Sequence, residues 1–226
     1  MSARPRSPLD EPATPTPVPS PAPSTARAER AVAVTLVAWL ALAVTVGLAG
    51  GFARSGPPLL LGVFAALPVA GFVTAYRLNA GLRALALRVP LWLVTAAHVM
   101  RGPTGLIFLV GVLRGTLPPA FGLPAGVGDL VAGIVSVPLA VELYRRGHRP
   151  SLQRRYLAWN AFGLADLLQA MVMGLLYSVS TIGVLSSTGS NSRAILLFPL
   201  SLIPTFYVPL LIVLHLLGFR RHRETH

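Results

Sequence analysis

Long apolar stretches alternate along this chain with short polar segments in which arginine collects. A hydrocarbon core of about 30 Å is crossed by about 20 helical residues. Stretches of that order run over 31–51, 58–76, 91–113, 125–144, 156–178 and 195–219. The pattern predicts an all-α fold, a polytopic membrane helix bundle of about six transmembrane helices that fills 31–219.

The two ends read differently. Eight prolines lie between Met1 and Ser24 among Ser, Thr and Ala, a composition that neither propagates a helix nor buries apolar surface. Residues 1–30 are therefore expected to be a disordered, Pro-rich cytoplasmic tail, with PxxP recognition as the rarer use of such a segment. Residues 220–226 form a basic cytoplasmic tail.

The arginines fix an orientation, because loops on the cytoplasmic side hold the positive excess. Arg4, Arg6, Arg27 and Arg30 precede the first helix, and Arg77, Arg83 and Arg88 follow the second. Arg145, Arg146, Arg149, Arg154 and Arg155 follow the fourth, and Arg220, Arg221 and Arg223 follow the sixth. The opposite loops hold Arg54, Arg114 and Arg193. Both termini are thus expected in the cytoplasm. A competing reading makes the first apolar run a signal peptide cleaved near Gly50 or Gly51, which would leave five spans.

Composition narrows the function classes. Hydrophobic residues make up 54% of the chain, charged residues 12%, and the mean hydropathy is +0.67, far from soluble averages. The net charge of +12 would suggest nucleic acid in a soluble protein, but here the charges sit between apolar runs, so anionic lipid headgroups at the cytoplasmic face are the expected partner and nucleic acid is not. The absence of cysteine excludes disulfides and thiolate chemistry. All 19 basic residues are arginine, which points to a GC-rich bacterial genome and hence to the bacterial plasma (inner) membrane. No HExxH, GxSxG or phosphate-binding glycine loop is present, which argues against an enzyme. No cofactor and no metal are expected.

Ionisable groups at bilayer depth are costly and mark candidate sites. In the third helix Thr95, His98, Arg101 and Gly105 share one face, and Pro103 is expected to kink the helix beside Arg101. In the fourth, Asp129, Gly133, Ser136 and Ala140 share a face, and in the fifth Gly163, Asp166, Ala170 and Gly174 do so. Small residues there let helices approach closely. Arg101 and Asp166 are at the same depth and are expected to pair, with Asp129 as a second anion within reach of Arg101 or Arg114. Gln169 and Asn160 add amides. In the sixth helix Pro199, Pro204 and Pro209 predict a bend. Leu117 to Pro124 reads as a tight apolar loop. The octets Gly126–Gly133 and Gly163–Ala170 share G-x-[GA]-D-L-x-x-[GA], compatible with a remnant inverted repeat or with chance in a Gly, Ala and Leu-rich chain.

Three segments carry a resemblance: the run from Leu117 to Asp129 (LPPAFGLPAGVGD), Trp159 to Asp166 (WNAFGLAD), and Ile203 to Pro209 (IPTFYVP). They resemble a family of uncharacterised bacterial multi-pass, permease-like membrane proteins. The resemblance implies no substrate, cofactor or reaction, only that both aspartates matter.

Function is expected along three lines. The first is a small transporter that uses Arg101, Asp129, Asp166, Gln169 and His98 to bind or relay a small solute or proton, with Pro103, Pro204 and Pro209 as helix kinks. The second is a structural or accessory subunit, in a homo-oligomer or larger complex, where the same charges only lock helix packing. The third is a haem or quinone redox protein using His98 and His215.

Overall fold

The computed structural model describes residues 23–54, 58–147, 149–186 and 191–224. Among the described residues every regular element is helical, and six helices are long and apolar enough to cross a membrane. They span Ala26–Leu48, Leu59–Leu78, Leu91–Leu113, Pro119–Arg146, Pro150–Leu176 and Ile203–Arg221. The chain has the build of a multi-pass membrane protein. Its apolar side chains face outward: Leu59 is 73% exposed and Leu113 85% exposed, while Arg101, His98 and His215 are fully buried. Such an inversion suits hydrocarbon as solvent.

Several boundaries differ from the sequence expectation, for local reasons. The first helix begins at Pro23, so 23–30 are helical where a disordered tail was expected; the rest of that tail lies outside the described residues. Proline is tolerated in a first turn, whose N–H groups have no intrahelical partner. The same rule corrects the fourth span, which begins at Pro119 and includes Pro124. The segment from Leu117 to Pro124 is therefore mostly helix and not a loop. The fifth span likewise opens on Pro150. Between the second and third spans a separate helix, Ala80–Arg88, is capped by the Asn79 side chain, which accepts from the Leu82 N–H at 3.0 Å. The arginines there had suggested only a loop.

The sixth apolar run is divided. A short helix, Arg193–Leu196, is followed by a turn, then a π-helical stretch at Ile203–Tyr207 that contains Pro204, and then an α-helix over Val208–Glu224 with Pro209 in its first turn. Missing proline donors account for the departure from α geometry. The helix covers 220–224, where a basic tail was expected.

The third and fourth spans pack most extensively, then the fourth and fifth, and the sixth packs on the second and fifth. The third and fourth spans approach glycine against glycine: a β-carbon at Gly105 would meet the Gly126 carbonyl oxygen at 2.5 Å, and one at Gly126 the Gly105 carbonyl oxygen at 3.0 Å. Two clusters join span ends on the arginine-rich side. Leu139, Leu143, Leu152 and Tyr156 pack with Trp92, and Tyr76, Ala86, Val94 and Leu217 form the other. The first span is peripheral, with 11% of its most apolar window buried against 44% for the fourth and sixth.

Candidate functional site

The third span is α-helical to Ala96, tightens to a 3-10 turn over Ala97–Met100 and resumes as α-helix at Arg101. Pro103 lacks the N–H that would bond the Val99 carbonyl, which accounts for tightening at that point. The Thr104 hydroxyl donates to the Met100 carbonyl at 3.2 Å and supports the distorted turn. This turn projects His98 and Arg101 from the same buried face as Thr95.

Arg101 is held from three sides. Its Nε donates to Asp129 Oδ1 of the fourth span at 2.7 Å, and its Nη2 donates to Asp166 Oδ2 of the fifth. Nη1 donates to the Gly163 carbonyl at 3.1 Å and faces His215 Nε2 of the sixth span at 3.4 Å. The planar guanidinium suits this: its donors point in fixed, divergent directions, so one side chain ties together the third, fourth and fifth spans and touches the sixth. Glycines make the approach geometrically available. The Asp166 carboxylate lies in the space a β-carbon at Gly128 would occupy, and a β-carbon at Gly133 would meet the Gly102 nitrogen at 2.6 Å.

The cluster lies well inside the spans. Arg101, Asp129 and Asp166 lie 10 to 12 residues from the arginine-poor ends of their spans, roughly 15–18 Å along the helix axes. One guanidinium against two carboxylates leaves a formal negative charge unmatched in the cluster. At such a position a partner charge or a bound cation lowers the energy.

His215 continues the cluster. Its Nδ1 lies 2.8 Å from Asn160 Oδ1, while Asn160 Nδ2 donates to the His215 carbonyl at 3.0 Å. The His98 ring lies against His215 with centroids 4.1 Å apart, and Trp159 meets His98 edge-on at 5.0 Å. The Trp159 indole N–H donates to the Ala132 carbonyl at 3.0 Å. Neither His98 nitrogen has a hydrogen-bond partner among the described residues. Because the two imidazoles touch, no macrocycle fits between them, and the bis-histidine haem arrangement is not formed.

Of the residues singled out in the sequence, Arg101, Asp129, Asp166 and His98 come together, and Asp129 turns to Arg101 instead of Arg114. Gln169 is half-buried and makes no hydrogen bond to the cluster. Pro103 lies two positions beyond Arg101, whereas Pro204 and Pro209 shape the start of the sixth span. Trp159 and the Gly163 carbonyl were missed. A backbone acceptor leaves no mark in sequence, and a tryptophan near a span end reads as an interfacial anchor.

A family model described as a domain of unknown function, DUF8737, matches residues 58–223. The chain belongs to the DUF8737 family. No curated protein and no solved structure matches it. The DUF8737 match starts at the second span, so it contains every residue of the cluster and leaves out the first span and the Pro-rich lead.

Proposed function

We propose that the chain is a small, permease-like carrier of the bacterial inner membrane that moves protons or another small cation through Arg101, Asp129 and Asp166. The observation that carries this reading is the unmatched carboxylate charge beside a fully buried guanidinium at mid-span. Intramembrane carboxylates of this kind typically hold ions or protons. Orientation follows the arginines: Arg77, Arg88, Arg145, Arg155 and Arg220 lie at one set of helix ends, which this reading puts in the cytoplasm.

A cavity of about 50 Å3, lined by groups such as Phe108, Phe121 and Ile203, and a more open one of about 710 Å3, lined by groups such as Leu59, Val63 and Ile182, have none of the charged residues in their walls. A proton or small ion needs no such pocket beside the carboxylates, so this reading takes a small cation as the cargo.

A second reading has its own support. Each nitrogen of the Arg101 guanidinium is engaged, as a purely structural lock would require, and the chain would then serve as a helix-packing subunit.

Purified protein in sealed liposomes, with a pH dye inside and an imposed pH gradient, separates the two. A carrier dissipates the gradient faster than empty liposomes, and Asp166→Asn keeps the fold while slowing dissipation at least tenfold. Wild-type protein no faster than empty liposomes for protons, sodium and potassium would overturn the carrier reading. Loss of folded Asp166→Asn would favour the lock.

A further inference from the structure

The hydrogen bonds around His215 specify its protonation pattern. Asn160 Nδ2 donates to the His215 carbonyl at 3.0 Å, which fixes which end of the Asn160 amide faces the ring. Oδ1, an acceptor only, is therefore the atom 2.8 Å from His215 Nδ1. Nδ1 must carry the proton. In the neutral ring Nε2 then holds a lone pair, and this is the atom that faces Arg101 Nη1, a donor, at 3.4 Å.

We propose that Asn160 is a positioning residue that holds His215 in the Nδ1–H tautomer, so that Nε2 is the lone-pair atom the ring presents to Arg101. The importance of that atom for ion movement rests on the carrier reading; the tautomer does not. A proton received at Nε2 from hydronium, which leaves as water, adds one positive charge and turns the acceptor into a donor. The ring and the guanidinium then present like charges and two opposed donors to each other, so the Nη1 contact is lost and Arg101 keeps only the Gly163 carbonyl on that side. Proton binding at His215 Nε2 and its contact with Arg101 Nη1 thus exclude each other. Such opposition couples a proton to a helix contact.

The ionisable groups facing this centre include Arg101 and His98 from the third span, Asp129 from the fourth, Asp166 and Tyr156 from the fifth, and Tyr207 from the sixth, which lies near Asp129 and Arg101. Gly218 of the sixth span seats the arm: a β-carbon there would meet Asn160 Oδ1 at 3.2 Å and would collide with the Tyr156 hydroxyl. His98 packs on His215 but neither of its nitrogens is bonded, so no comparable constraint fixes its tautomer.

The test is 15N NMR of histidine-labelled protein in lipid nanodiscs at neutral pH. His148, His222 and His226 are changed to glutamine, and the two remaining signals are told apart with His98→Gln. His215 is expected as Nδ1–H, and Asn160→Leu to lose that pure pattern. Asn160→Asp, which still offers an acceptor, is expected to retain it. An Nε2–H signal for His215 in the otherwise unchanged protein, or an Asn160→Leu spectrum identical to it, would overturn the assignment. If Asn160→Leu does not fold, the tautomer with Asn160 present and the Asn160→Asp spectrum still decide. Proton flux measured on the same samples keeps the two readings apart. An Nδ1–H ring without flux removes the carrier reading alone, whereas flux with an Nε2–H ring removes this assignment alone.

Discussion

Gly163 lies against both the His215 ring and the Arg101 guanidinium. A β-carbon there would meet His215 Cε1 at 2.6 Å and Arg101 Nη1 at 2.9 Å, while the Gly163 carbonyl accepts from the same nitrogen at 3.1 Å. Gly163→Ala is therefore expected to push two buried groups apart at once. Overpacking of this kind costs about 1–3 kcal/mol. Thermal unfolding in detergent or nanodiscs would register it, and Gly62→Ala, within a helix and where a β-carbon meets nothing within 4 Å, is the control that should not lower the midpoint.

Arg101→Lys keeps the charge but loses the fork. An ammonium on a flexible stem cannot meet Asp129, Asp166 and the Gly163 carbonyl in their present directions. The carrier reading expects at least a tenfold loss of proton flux in liposomes with the protein still recoverable in membranes. Flux equal to the unsubstituted chain would mean that charge alone suffices.

Trp159 ties the fifth span to the fourth through its indole N–H, which donates to the Ala132 carbonyl at 3.0 Å. Trp159→Phe retains an aromatic ring beside His98 but removes that donor and part of a buried ring. The lost hydrogen bond costs about 0.5–1.5 kcal/mol and the lost packing adds to it, read as a lowered unfolding midpoint.

The span framework was legible in the sequence because apolar length and arginine placement are one-dimensional properties. All six predicted runs overlap the observed spans, although the start of the sixth run is a separate short helix. Errors fell at prolines: Pro23, Pro119 and Pro150 open helices that had been expected to start later. A proline reads equally as a break or as a first-turn residue until the neighbouring chain is placed. The Arg101–Asp166 pair followed from equal depth and small-residue faces. What could not be read was how many partners one guanidinium takes. That depends on the close approach at Gly128 and Gly133, which lets Asp129 and Asp166 reach the same group. Asn160 was noted as a polar group, but its grip on His215 joins positions 55 residues apart, which no local pattern encodes.

Orientation can be checked directly, since the chain has no cysteine of its own. Single cysteines at Arg83, Arg154 and Arg193 should divide into two classes against an impermeant thiol reagent on intact cells. Arg83→Cys and Arg154→Cys should be protected, and Arg193→Cys should label. Labelling of all three would contradict the arginine-based orientation.

The account depends above all on Arg101 being paired with both Asp129 and Asp166, across three helices. Thermal unfolding of Arg101→Met beside the triple variant Arg101→Met, Asp129→Asn, Asp166→Asn tests this. Removing one partner of a buried ion pair costs roughly 3–5 kcal/mol, because a charge is left behind, whereas neutralising all partners costs much less. The account predicts that Arg101→Met is strongly destabilised and that the triple variant recovers much of the loss. Arg101→Met as stable as the unsubstituted protein, or a triple variant worse than Arg101→Met, would contradict it.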